Sequence, residues 1–143
     1  MAYTFKQKVL FKHCDPAGIV FYPRYFEMIN DAVEHFFADV LDAPFEDMHP
    51  NEGVPAIAMD INFLAPSRHG DHLDIILKPV NVGKTSLTLS IKAVSAEQVR
   101  FEANITVVHV AGSDLKPSPW SPAHRAVLMP LVNPSEEPSN VIA

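Results

Sequence analysis

The chain has 143 residues, 48% of them apolar and 20% charged, with a formal net charge of −6. That length fits one domain with a self-sufficient core, and an acidic balance with no basic run argues against nucleic acid or an acidic membrane as partner. Cys14 is the single cysteine, which excludes an internal disulfide framework; with no signal-type segment and no bilayer-spanning stretch, the expected setting is the cytoplasm.

Residues Tyr3 to Phe11 read as a first strand, with Tyr3, Phe5, Gln7, Val9 and Phe11 on one face. Asp15-Pro16-Ala17-Gly18 follows, and Asp, Pro and Gly stand where a type I turn favours them. A helix is predicted from about Pro23 to Val40. Tyr22, Tyr25, Phe26, Ile29, Val33, Phe36, Phe37 and Val40 recur at spacings of three and four, which gives one buried stripe. Pro23 suits the first helical position, where its missing N–H costs nothing. The stretch from Asp42 to Gly53 reads as a loop.

Four strands are then expected: Val54 to Ala65, His72 to Val82, Thr85 to Val94 and Val99 to Ala111. The links between them are short, so neighbouring strands must run antiparallel. The tail from Lys116 is proline-rich, and its last ten residues have the composition of a poorly ordered segment. The expected domain is residues 1–130, with 131–143 as a flexible tail. One strand, one long helix and four antiparallel strands make an α+β protein, a curled sheet wrapped round the helix. One helix cannot cover the open sheet edges, so two subunits are expected to pair edge to edge.

The stretch D-P-A-G-I-V-F-Y-P-R-Y-F, Asp15 to Phe26, together with the order of elements, resembles the hotdog-fold acyl-CoA thioesterases, in particular the 4-hydroxybenzoyl-CoA thioesterase-like group. The resemblance covers about Thr4 to Met129. It implies a hotdog fold of five antiparallel strands round one central helix. It implies Asp15 as the catalytic carboxylate and Tyr22 as the residue whose backbone N–H polarises the thioester carbonyl. Lys84, Thr85 and Ser86, beside Gly83, fall where the family contacts coenzyme A, and Arg125 falls where a C-terminal basic residue reaches the nucleotide. Asn30 lies at a helix position able to face the acyl group. The resemblance also implies a homodimer or homotetramer with an acyl-CoA substrate, no cofactor and no metal.

The chemistry suits these residue types. A thiolate leaves without strong acid help, so no Ser-His-Asp machinery is needed, and no G-x-S-x-G motif is present. An aspartate can attack the carbonyl to give an anhydride or take a proton from water. The start of a helix offers unpaired N–H groups and a positive dipole end for the oxyanion. Pro23 has no N–H, which leaves Tyr22, Arg24 and Tyr25 as donors, with Gly18 in the adjoining turn. Arg68, Lys84 and Arg125 are the cations expected near the phosphates of coenzyme A. Asp15 could instead serve only the turn. His13 and Asp15 lack the partners of a metal site, and His69 and His72 read as surface residues. Two rivals remain: a hotdog hydratase or dehydratase, and a non-catalytic acyl-CoA or acyl-carrier-protein binding module.

Overall fold

The computed structural model describes residues 2–132. Five strands form its main sheet: β1 (Tyr3–Lys8), β3 (Ala56–Phe63), β4 (His72–Val82), β5 (Ser86–Ser95) and β6 (Gln98–Val108). They lie in the order β1-β4-β5-β6-β3, antiparallel throughout. The other elements are a 3-10 turn (Phe11–His13), the long helix α1 (Pro23–Leu41), a short α2 (Phe45–Met48) and a small sheet of β2 (Glu52–Gly53), β7 (Val110–Ala111) and β8 (Lys116–Pro117), with a last helix α3 (Pro122–Leu131).

Alternation in the strands decides which face is dry. Leu73, Ile75 and Leu77 of β4, Leu87, Leu89 and Ile91 of β5, and Phe101, Ile105 and Val107 of β6 are all buried. Against them α1 lays Tyr25, Met28, Ile29, Ala32, Val33, Phe36, Phe37 and Leu41. This is the expected α+β architecture, a five-stranded antiparallel sheet round one helix. The sheet ends in two open edges, β1 and β3. On β3, Ile57 stays 64% exposed and Phe63 48%, so this edge carries apolar side chains as well as unpaired backbone.

Several expectations are corrected. The first strand stops at Lys8, and Phe11 leaves its face to enter the 3-10 turn, where it is 80% exposed. Tyr22 precedes α1 and is exposed rather than part of the buried stripe; Met28 and Ala32 complete the stripe instead. The proline-rich tail contains α3. Its start is well specified: the Ser121 side chain accepts from the His124 N–H at 3.1 Å, and Pro122 opens the helix. Leu128 buries it against the core. The last ten residues, expected to be poorly ordered, lie outside the described residues.

Candidate active site

Local chemistry shapes the Asp15 hairpin. The Gly18 N–H donates to the Asp15 carbonyl at 2.9 Å, closing the predicted turn, and the Asp15 N–H donates to the Ile19 carbonyl at 3.1 Å. Gly18 has φ +83°, a conformation that side chains rarely adopt. The Ala17 N–H donates to Asp15 Oδ1 at 2.9 Å. One carboxylate oxygen is thus pinned, and Oδ2 has no partner among the described residues.

Asp15 faces a cleft of about 570 Å³ bounded by Ile19, Phe21, Tyr22, Tyr25 and Phe63, within the size range of small-molecule sites. The walls are aromatic. Phe63 stacks on Tyr25 at 5.9 Å between ring centroids and meets Tyr22 edge-on at 6.0 Å. Asp15 also borders a second depression, with Phe11, Cys14 and His69.

The entry to α1 also lines this cleft, and of the expected donors there only the Tyr22 amide, just before the helix, is open among the described residues. The Arg24 N–H donates to the Phe21 carbonyl at 2.8 Å and the Tyr25 N–H to the Tyr22 carbonyl at 3.0 Å. Gly18 is engaged in the turn. Arg24, Tyr25 and Gly18 therefore leave the set of expected oxyanion donors. The Tyr22 N–H has no acceptor among the described residues, and it sits at the positive end of a 19-residue helix.

His13 is buried, and its Nδ1 accepts the Leu10 N–H at 2.8 Å. Burial, reinforced by nearby Lys12, pushes its pKa below the usual histidine value. This engaged ring does not line the aromatic cleft, which gives the hydratase reading no support.

The remaining expected residues fall in three places. Arg68 is beside the hairpin, bridging to Ile19 through the backbone, with its side chain exposed. Lys84, Thr85, Ser86 and Arg125 gather at the opposite end of the sheet. There Arg125 Nη1 donates to the Gly83 carbonyl at 2.9 Å, and Trp120 Nε1 donates to the Ser86 carbonyl at 2.9 Å. The length of β5, 10 residues at roughly 3.3 Å each, separates this group from Asp15. Asn30 is exposed in a different depression, with Lys12, Glu27 and Asp31, so within one protomer it does not reach the cleft. Sequence reasoning missed Tyr25 and Phe63 as cleft walls. Their aromatic character was visible, but which end of a strand meets which end of the helix was not.

The model of the family described as "Thioesterase superfamily" matches residues 17–102. The chain belongs to the thioesterase superfamily. Among curated relatives it is similar to a 4-hydroxybenzoyl-CoA thioesterase from a Pseudomonas species, 28% identical over 50% of this chain and 53% of that enzyme. The matched segment thus spans about half that relative's length. It is also similar to a 1,4-dihydroxy-2-naphthoyl-CoA hydrolase from Nostoc punctiforme, 26% identical over 72% of this chain and 70% of that one. A solved gentisyl-coenzyme A thioesterase matches with a TM-score of 0.77 and 26% identity, covering 87% of this chain and 99% of the other. The superfamily match includes Tyr22, Arg68 and the Lys84–Ser86 turn. Asp15 lies two residues before it, and Arg125 lies after it.

Proposed function

We propose that the protein hydrolyses the thioester of a small aromatic acyl-CoA to the free acid and coenzyme A. The observation that carries this reading is one aromatic-walled cleft bounded by both Asp15, with a free Oδ2, and Tyr22, whose backbone N–H is unpaired. The exposed rings of Tyr22 and Phe63 offer stacking surface to an aryl group, with the buried Tyr25 ring backing Phe63. The named relatives act on aryl-CoA thioesters, which supports the same substrate class.

The Tyr22 N–H polarises the carbonyl and holds the oxyanion as it forms; a preorganised donor of this kind contributes roughly 2.7–4 kcal/mol. Asp15 acts on the carbonyl carbon in one of two balanced ways. It can attack directly, expelling the coenzyme A thiolate and leaving an anhydride that water opens. Alternatively it takes a proton from water as the water oxygen attacks and the thiolate leaves. In a single turnover in 18O-labelled water, label in the Asp15 carboxylate demonstrates direct attack with water opening the anhydride at the Asp15 carboxyl carbon, whereas general-base hydrolysis places label only in the product acid.

The working unit is a homodimer joined along β3. Antiparallel pairing of two copies of β3 about a two-fold axis sets the Ala56 end of one against the Phe63 end of the other. Because Ala56 pairs with Val107, and Leu87 with Val107, the second copy's Lys84, Thr85, Ser86 and Arg125 then approach this copy's cleft. Arg68 is the cation already beside it. Thiol release from a panel of aryl- and alkyl-CoA thioesters tests the reading. The expected result is a kcat/KM at least ~10-fold higher for aryl substrates, with Phe63→Ala erasing the preference. Equal turnover of alkyl substrates contradicts the aryl assignment.

A further inference from the structure

Leu64, Ala65 and Pro66 of the cleft wall belong to the loop of residues 64–71, and one residue holds most of that loop. Arg100, near the start of β6, is 6% exposed. Its Nη1 donates to Asp71 Oδ2 at 2.7 Å, the Pro66 carbonyl at 3.1 Å and Ser67 Oγ at 3.2 Å. Its own carbonyl accepts the N–H groups of Leu64 at 2.9 Å and Ala65 at 3.1 Å. Asp71 Oδ2 also accepts the Arg68 N–H at 2.9 Å, and the Arg100 guanidinium holds that carboxyl below the usual range. From the helix side, Tyr25 donates its hydroxyl proton to Ser67 Oγ at 2.9 Å.

The same loop carries the Asp15 hairpin. The Ser67 carbonyl accepts the Val20 N–H at 2.9 Å, and Ile19 bridges Arg68. Ile19 in turn accepts the Asp15 N–H. A continuous run of hydrogen bonds therefore leads from Arg100 through Ser67 to the residues that hold Asp15. Tyr25 ties the helix whose first turn presents Tyr22 to the same serine.

Stability alone is a poor reason for this arrangement. A buried guanidinium is costly to desolvate, and well-packed apolar replacements of buried ion pairs are often as stable. Here the cost is compounded, because Arg100 Nε is buried with no partner among the described residues. What the planar, many-donor group supplies is fixed geometry. We infer that Arg100 is a positioning residue, which through Ser67 sets the placement of Asp15 relative to the Tyr22 N–H. The inference rests on the hydrolysis proposed above.

Two variants test it, Arg100→Lys and Ser67→Ala, with Ile91→Val in the sheet core as a stability control. Lys keeps the charge and loses the fork; Ala removes one hydroxyl. In both, kcat per folded molecule falls ~10–100-fold, the scale of a small misplacement of reacting groups, while KM stays within about 3-fold. Amide hydrogen exchange at Val20 quickens. Ile91→Val keeps its kcat. An unchanged kcat in folded Ser67→Ala overturns the inference, since a merely stabilising network moves melting temperature and not turnover. Should Arg100→Lys fail to fold, Ser67→Ala carries the test. A wild type without hydrolysis overturns the assigned reaction by itself. In that event Val20 exchange still decides: faster exchange in Ser67→Ala supports the hold on the hairpin, and unchanged exchange removes it.

Discussion

The Asp15 side chain closes its own turn: Oδ1 accepts the Ala17 N–H, and Oδ2, in a residue that lines the cleft, has no partner among the described residues. That turn was legible in the sequence because Asp, Pro and Gly act locally. The Arg100–Ser67 contact was not, since it joins residues 33 positions apart and depends on how β6 meets the loop after β3. His13 gives a residue-scale prediction. Burial lowers its pKa in the folded state, so the unfolded chain binds the proton more readily. Its contribution is complete above about pH 6.5 and is lost as pH falls through the lower folded value. Asp71, lowered chiefly by its hydrogen bond from Arg100, adds a second loss in more acid solution. Urea midpoints from pH 8 to pH 3 should therefore decline in two stages, and His13→Gln should flatten the first. A parallel decline in the variant contradicts this account of His13.

The elements divide by how their signal is encoded. The apolar spacing of α1 and the alternation of β5 specify their own faces, so both were readable without knowing the fold. The helix α3 was obscured by the prolines around it, although Ser121-Pro122 is a helix-start signature. Replacing Ser121 by Ala removes the acceptor for the His124 N–H and should cost about 1 kcal/mol, read as a lower urea midpoint. The loss should loosen the Trp120–Arg125 segment that covers the Lys84 turn, raising the KM for CoA substrates more than it lowers kcat. A variant with unchanged midpoint and KM contradicts that role for the cap.

At the scale of the molecule, the proposed dimer gives each copy half of a site. The aromatic cleft and Asp15 lie at one end of the sheet, and Lys84 and Arg125 at the other. One helix against five strands pointed to an unfinished edge, but which strand was open followed only from the order β1-β4-β5-β6-β3. Met59→Pro at the centre of β3 removes a backbone donor and its extended pairing. Sedimentation should then show the dimer giving way to monomer, with kcat/KM falling at least ~10-fold. A folded monomeric variant with full activity contradicts the shared site.

The most direct measurement compares thiol release by wild type and Asp15→Asn on an aryl-CoA thioester that the wild type hydrolyses. Asn preserves the side-chain acceptor for the Ala17 N–H and removes the charge. The expected result is a folded variant whose kcat falls by a factor on the order of 10³ or more. A folded Asp15→Asn with wild-type turnover would show that Asp15 serves only the turn and that another group attacks the thioester.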